Sequence, residues 1–342
     1  MLKLLGRLLL WFRGGSLKLL FFASLILLAW GTFSPIGTIT WWLRYGSEAA
    51  GLKRAPAKRL PGYETGGKNQ SANQVRKIDC YVVFLTGVGD FSADQLTPGE
   101  TFFLNHLEQA HPNCVTVRDV FPYSAANKSL GGERLLSPLW QFADKAEGWL
   151  GVANVLIKIR NLWRLAISAD PRYGPIYNQG IAKAIIERMQ AAHALPAAQT
   201  EPFQIILIGT SGGAQVALGA ASYLAEQFET QITVISVGGV FSGNNGFDAA
   251  QHTYHLQGQR DWIDDLGIVF PSRWPWVVAS PYNQAHRQGR YSVESTGPHA
   301  HDGAQGYFGL SQVGAEKATY VNLTLRKINQ FPVWSAQEQG GS

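Results

Sequence analysis

Short apolar runs, several of them ending in glycine, recur after residue 77 and alternate with stretches that have helical spacing. The strand-like runs are IDCYVVFLTGVG (78–89), CVTVRDVF (114–121), EPFQIILIG (201–209), QITVISVGG (231–239) and HTYHLQG (252–258). They are rich in β-branched and aromatic residues, which favour strands. Helical spacing is found over 99–109 and over 315–329. This alternation predicts the α/β class, with a mainly parallel sheet and helices on both faces.

One segment, from Pro122 to Tyr177, is too long to be a simple connection. Within it, GVANVLIKIRNLWRLAIS (151–168) has an apolar helical surface that Lys158, Arg160 and Arg164 interrupt. Two interpretations are open. The helix either packs on the sheet, or it forms a cap or lid over a binding site that could rest on a membrane. We predict a helical cap insertion at about 122–177.

The longest apolar run lies near the N-terminus, where residues 19–43 carry no charge. A helix of about 20 apolar residues spans the core of a bilayer. Basic and aromatic residues of the kind that anchor a helix at the membrane interface flank the run: Lys3, Arg7, Arg13, Lys18, Trp41, Trp42 and Arg44. The run therefore predicts a single transmembrane helix. A cleaved signal peptide is the alternative, although no convincing small-residue cleavage motif follows the run.

The positive charge of the chain is concentrated near the predicted anchor. The net charge is +5, but residues 1–60 hold nine Lys or Arg and one Glu, so the remainder is slightly acidic. A nucleic-acid groove is therefore not indicated, and basic residues on both flanks leave the side of the membrane open. We predict a basic segment with the anchor over 1–45, a juxtamembrane linker over 46–76, an α/β domain over 77–332 and a C-terminal tail over 333–342.

The two cysteines, Cys80 and Cys114, each lie beside a strand-like run. They can be two buried thiols, the common state of cysteine in a core. A disulfide between neighbouring strands is the other possibility, and it would imply an oxidising compartment. Neither cysteine has the surroundings of a nucleophile or a metal ligand.

The third strand-like run ends in GTSGG (209–213), after which helical spacing resumes. A serine nucleophile must stand clear of a sheet, and a tight strand-to-helix turn achieves this through a strained backbone. Such a turn has room only for very small residues two positions away on each side, and Gly209, Ser211 and Gly213 fit this G-x-S-x-G pattern. The amide of Gly212 would lie at a helix N-terminus, where it can donate to an oxyanion. The stretch resembles the nucleophile elbow of the α/β-hydrolase family.

This resemblance implies an acid and then a histidine later in the chain. GQRD (258–261) resembles the acid turn of the family and points to Asp261, with Asp264 as the alternate. Both aspartates could also serve the start of a helix. His301 matches a Gly-Pro-x-x-His-x-Gly run that some family members carry, and His299 is its alternate.

The resemblance also implies a second oxyanion donor in the loop after the first strand-like run. VVFLTGVGDF (82–91) is similar to the family's strand and loop, but Thr86 stands where histidine is common. The amide of Val88 is the expected partner of the Gly212 amide. The family chemistry requires no cofactor and no metal.

Taken together, these residues predict a membrane-anchored serine hydrolase that cleaves an ester with a hydrophobic acyl or lipid-like part. The tryptophans Trp262, Trp274 and Trp276 favour such a substrate, although aromatic residues equally fill cores. One alternative is a non-catalytic binding or scaffold protein of the same fold at the membrane. Another is a metal-dependent hydrolase that uses HAHD (299–302), although this run departs from the spacing of metallo-β-lactamase-like hydrolases.

Overall fold

The described part of the chain comprises the α/β domain. The computed structural model describes residues 78–89, 96–124, 150–195, 203–244, 246–314 and 317–334. The predicted anchor, the linker, residues 125–149 of the predicted cap and most of the C-terminal tail lie outside these residues. No helix within them is long and apolar enough to cross a membrane.

The domain is built on one parallel sheet of six strands in the order β2-β1-β3-β4-β5-β6. The strands are β1 (Cys80–Leu85), β2 (Cys114–Val120), β3 (Gln204–Thr210), β4 (Gln231–Val237), β5 (Ala250–Gly258) and β6 (Tyr291–Gly297). Every residue of β1 and β3 is buried, as expected for central strands covered on both faces. The prediction of an α/β fold with a mainly parallel sheet is confirmed.

Six α-helices lie within the described residues: α1 (Pro98–Ala110), α2 (Leu150–Ala169), α3 (Gly174–Ala192), α4 (Gly213–Phe228), α5 (Pro281–Arg287) and α6 (Tyr320–Ile328). Short 3-10 helices cover Asp264–Val269, Pro271–Arg273, Gly303–Gln305 and Pro332–Trp334.

The start of α1 shows how local sequence fixes a boundary. The Thr97 hydroxyl accepts from the Glu100 amide at 3.2 Å and the Glu100 carboxylate accepts from the Thr97 amide at 2.8 Å, which forms a capping box.

Helices cover both faces of the sheet. Phe84 of β1 packs against Phe103 of α1, with ring centroids 6.3 Å apart. The Tyr81 hydroxyl, on the same strand, donates to the carbonyl of Ala194 just after α3. Because odd and even residues of a strand point to opposite faces, α1 and α3 lie on different sides. The α1 side also carries α6, and the other side carries α4.

Two boundaries differ from the sequence prediction. The last helix starts at Tyr320 rather than at 315, because residues 312 and 319 form an antiparallel bridge around a turn in which Gly314 has a φ of +57°. The strand β6 was not predicted, since its exposed edge position gives it polar residues in place of an apolar run. Edge strands often carry such residues.

The predicted cap contains α2 and the start of α3. Helix α3 continues past the predicted boundary at 177, contacts β2 and α4, and belongs to the crossover between β2 and β3. Helix α2 packs on the helices α3 and α4, whereas the first interpretation placed it on the sheet. A role as a movable cap stays a prediction.

Cys80 and Cys114 are directly opposite residues at the starts of β1 and β2. Their Cα atoms are 4.5 Å apart, and the two residues form a disulfide. The structure therefore differs from the interpretation as two buried thiols. The reason is the register of the two strands, which the sequence did not reveal.

We expect reduction of this disulfide to lower the free energy of unfolding by about 3–4 kcal/mol, because the bond links residues separated by 34 positions. Urea unfolding with and without dithiothreitol measures the difference. The double variant Cys80→Ala/Cys114→Ala should not respond to dithiothreitol. An unchanged urea midpoint on reduction of the wild-type chain would contradict the prediction.

Candidate active site

The turn between β3 and α4 holds Ser211 in an unusual backbone conformation. Its φ is +52°, and among the described residues Glu229 is the one other non-glycine residue with a positive φ. A left-handed conformation costs an L-residue about 1–3 kcal/mol, and it persists where the surrounding structure enforces it. The turn thus raises Ser211 out of the strand and away from the sheet.

The glycines on either side of Ser211 are required by close backbone packing. A Cβ atom on Gly209 would lie 2.6 Å from the backbone nitrogen of Ala214. A Cβ atom on Gly213 would lie 2.4 Å from the carbonyl oxygen of Leu85. Neither clash can be relieved by rotating a side chain, so the spacing of glycines in the sequence follows from the geometry of the turn.

Three side chains that the sequence singled out form one chain of hydrogen bonds. The Ser211 Oγ lies 3.0 Å from Nε2 of His301. The Nδ1 of the same ring lies 3.0 and 2.9 Å from the two carboxylate oxygens of Asp261. With its proton on Nδ1, the imidazole donates to Asp261 and can accept from the Ser211 hydroxyl.

The Asp261 carboxylate is buried and held by several donors. The Tyr307 hydroxyl donates to it at 2.8 Å, and the amide of Ile263 donates at 3.0 Å. Burial raises the pKa of Asp261, but the hydrogen bond and the charge attraction from His301, together with the bonds from Tyr307 and Ile263, hold that pKa below its ordinary value. The carboxylate is therefore ionised at neutral pH, as an orienting acid requires.

Backbone hydrogen bonds tie the loop of Asp261 to the loop of His301. The amide of Arg260 donates to the carbonyl of His299 at 3.0 Å. The Arg260 guanidinium donates from Nε to the carbonyl of Pro298 at 2.8 Å. Acid and imidazole thus come from two loops that follow neighbouring strands and are fixed to one another.

The alternate residues have other surroundings. His299 is fully buried, and its Nε2 lies 2.9 Å from the carbonyl of Tyr320 in α6. Burial, the largest cause, lowers the pKa of His299, so its ring stays neutral in the core. Asp264 is the first residue of the 3-10 helix Asp264–Val269. The structure brings His301 and Asp261, and not His299, to Ser211.

The HAHD run does not gather its side chains at one point. The ring of His299 contacts α6, whereas the ring of His301 contacts Asp261 and Ser211. Across the described residues, no three His, Cys, Asp or Glu side chains form a cluster that could hold a metal ion.

The loop after β1 lies directly beside the Ser211 turn. A Cβ atom on Gly212 would lie 2.6 Å from side-chain carbons of both Val88 and Leu165. A Cβ atom on Gly87 would lie 3.4 Å from that of Ser211. The chain leaves β1 for β2 on one side and reaches β3 on the other, so this is the topological switch point where open α/β sheets bind ligands.

Side chains from two other elements hold the loop after β1. The Tyr123 hydroxyl donates to the carbonyl of Thr86 at 3.0 Å. The Asn161 amide of α2 donates to the carbonyl of Val88 at 2.9 Å, and its own oxygen accepts from Arg160 at 2.8 Å. These bonds fix the carbonyls on both sides of the Gly87–Val88 peptide and so restrict rotation of the Val88 amide. The donor roles of Gly212 and Val88 stay predictions.

Three residues of this arrangement were not predicted from the sequence: Tyr123, Asn161 and Tyr307. Asn161 lies next to Arg160, in the polar interruption of an apolar helix, and this interruption was the signal that could have revealed it. The sequence around Tyr307 offers no comparable signal. Its position beside Asp261 depends on how the loop that carries His301 folds back.

No protein-family model, curated protein or solved structure matches the chain. What the site can do chemically is therefore inferred from its geometry and from the motif residues.

We expect Tyr307→Phe to lower the free energy of unfolding at pH 7 by about 1–3 kcal/mol. The hydroxyl of Tyr307 accepts from the Gly258 amide at 2.8 Å and donates to Asp261, so its removal leaves a buried amide without this acceptor. Removal of the hydroxyl also raises the pKa of Asp261, because the bond from Tyr307 helps to lower it. Urea unfolding of both proteins measures the change.

The pH dependence separates the two effects. A carboxylate with a lowered pKa stabilises the fold above its unfolded pKa, about 3.9, and this contribution is lost as the pH falls through the folded value. The difference between Tyr307→Phe and wild type should therefore shrink below about pH 4. Tyr173→Phe, at an exposed position, should match wild type. A difference that is constant with pH would rule out the contact with Asp261 as its cause.

Proposed function

We propose that the chain is a membrane-anchored serine hydrolase that cleaves an ester with a hydrophobic acyl or lipid-like part. The observation that carries the proposal is the continuous hydrogen-bond chain from Ser211 through His301 to Asp261. Such an arrangement activates a serine hydroxyl because the imidazole can take its proton.

In the first step, the Ser211 Oγ attacks the carbonyl carbon of the ester while Nε2 of His301 takes the hydroxyl proton. The imidazolium that forms is stabilised by Asp261, whose pKa is held below its ordinary value. The position of the carboxylate against Nδ1 also keeps the ring in the tautomer that leaves Nε2 free to accept.

In the second step, the negative charge on the carbonyl oxygen is stabilised by backbone amides. The expected donors are Gly212, at the N-terminus of α4, and Val88, in the loop held by Tyr123 and Asn161. The tetrahedral intermediate collapses, the alcohol leaves with the proton from His301, and the acyl group remains on Ser211.

In the third step, water hydrolyses the acyl-enzyme by the same route. Nε2 of His301 takes a proton from water as the oxygen attacks the acyl carbon, and the proton returns to the Ser211 Oγ when the ester bond breaks. No atom is left over, and the free acid is released.

The preference for a hydrophobic substrate is supported by the surroundings of the expected oxyanion site. Val88 and Leu165 present apolar carbons next to Gly212. The predicted membrane run at residues 19–43 would also keep the enzyme close to lipid esters.

The proposal is tested by labelling the purified full-length chain with a fluorophosphonate, which reacts with activated serines. We expect wild type to be labelled and Ser211→Ala to lose the label, because the nucleophile is gone. Labelling is read on a gel after exposure to the fluorescent probe.

Ser236→Ala is the matched control. The Ser236 hydroxyl also lies 2.9 Å from a histidine, His255, but the pair is buried in the core and cannot reach a probe. This variant should keep the label. His301→Gln should lose it, whereas the folded fraction of His299→Gln should keep it. Absence of labelling in folded wild type would overturn the enzyme proposal in favour of a non-catalytic binding protein.

A separate prediction concerns Asn161. Asn161→Ala should lower kcat for a soluble ester by about 10- to 100-fold with little change in KM, because misplacing an oxyanion donor affects the transition state more than the ground state. Steady-state kinetics measures both constants.

Asn329→Ala is the control for this variant, since Asn329 is exposed and its amide oxygen bonds the ring of His111 at 2.9 Å, outside the site. It should have wild-type kcat. If Asn161→Ala raised KM and left kcat intact, the residue would contribute to substrate binding and not to the positioning of Val88.

A further inference from the structure

An exposed apolar segment follows directly after Asp261. We call residues 262–278 the apolar platform. Five of its side chains are more than half exposed, namely Trp262 (65%), Val269 (63%), Ile268 (73%), Trp276 (71%) and Val278 (54%). Single exposed apolar residues are common, but a concentration of large ones within 17 residues marks an interaction surface.

The platform is held in place by specific hydrogen bonds. The side-chain amide of Asn283 donates to the carbonyls of Trp274 and Val277, each at 2.9 Å. The indole nitrogen of Trp274 donates to the carbonyl of Ile268 at 2.7 Å. These contacts fix the backbone while the apolar side chains point outward, so the exposure is built into the fold.

The positive charge of the platform is turned inward. The guanidinium of Arg273 lies over the rings of Phe241 and Tyr282, at 4.6 and 5.2 Å from their centroids. On the outer surface, Trp276 packs against Trp274 with ring centroids 5.2 Å apart, and Asp265 is an exposed charged residue of the platform. Exposed tryptophan together with aliphatic side chains is typical of a protein surface that lies in the interface of a bilayer.

We propose that the apolar platform docks the domain onto a lipid bilayer. A bilayer is the expected partner of the platform because residues 19–43 of the same chain form an uncharged apolar run long enough to span a membrane. Residues 44–77 separate that run from the described domain in the sequence. Because run and domain belong to one chain, the platform would meet the bilayer at a high local concentration.

Docking through the platform would bring the site to its substrate. Trp262 is the residue next to Asp261, so a bilayer on the platform lies beside the acid side of the hydrogen-bond chain. In this respect the inference rests on the proposed function, because docking would supply lipid-like esters to Ser211. The docking itself does not require catalysis.

The experiment uses the full-length chain with Ser211→Ala, so that its outcome is independent of hydrolysis. Ile268→Cys carries an environment-sensitive NBD dye; the native cysteines form a disulfide and are not labelled. The protein is reconstituted in nanodiscs of phosphatidylcholine and phosphatidylglycerol, with and without lipids that carry a spin label in the acyl chain. We expect the spin label to quench the dye strongly.

Gln109→Cys is the matched control position. Gln109 is an exposed residue of α1, which packs on the sheet face that includes Leu256. The platform packs on the other face, since Phe241 beneath Arg273 contacts His255, the neighbour of Leu256. A dye at position 109 should be quenched several-fold less than one at position 268. Trp262→Ser/Trp276→Ser should reduce the quenching at position 268.

Three results would overturn the proposal. Equal quenching at positions 268 and 109 would mean that the domain has no preferred face toward the bilayer. Absence of quenching at both would mean that it does not dock. Protection of the dye at 268 that depends on protein concentration, with disulfide cross-linking of two Ile268→Cys chains, would identify a second copy of the chain as the occupant.

Discussion

The left-handed backbone of Ser211 is the constraint on which the site depends. The turn can exist because β3 is a central strand and α4 packs against the sheet so closely that Gly209 and Gly213 touch neighbouring backbone. The cost of the unfavourable φ is offset by this packing, which cannot relax without moving a helix. A strained serine is therefore held at the carboxyl ends of the strands, where the loop after β1 also begins.

The groups that face Ser211 come from separate loops and converge through hydrogen bonds. Asp261 follows β5 and His301 follows β6, and bonds between their loops set the distance between carboxylate and imidazole. The Tyr307 hydroxyl joins the end of β5 to the carboxylate. The lowered pKa of Asp261 thus depends on bonds from His301, from Tyr307 and from the amide of Ile263 in its own loop.

The sequence predicted the parts of the fold that have a strong periodic signal. The buried strands and the glycine-bounded turn at Ser211 could be recognised because steric demands leave a local pattern. The edge strand β6 was not predicted, since it is half exposed and lacks an apolar run. The start of α6 was predicted too early, since a turn at Gly314 precedes the helix. Local propensity does not reveal such tertiary effects.

The candidate site shows the same division. Asp261 and His301 could be singled out from their order and their glycine-rich surroundings. Tyr307 could not, because its contact with Asp261 joins residues 46 positions apart and leaves no local pattern. Asn161, 73 positions from Val88, had only the polar interruption of an apolar helix as its signal. A residue that supports a site from another element leaves a sequence signal only where it breaks a pattern, as a polar residue does on an apolar helix.

Ser211 and His301, the first two members of the hydrogen-bond chain, are anchored very differently. Ser211 follows a strand that is buried along its whole length, whereas His301 belongs to a partly exposed loop closed by a single-turn 3-10 helix at Gly303–Gln305. Segments of low local stability open in excursions that leave the rest of a protein folded. Rearrangement of the His301 loop would thus separate imidazole from serine while the sheet stays intact. The contact between Ser211 and His301 can therefore be lost long before the core unfolds.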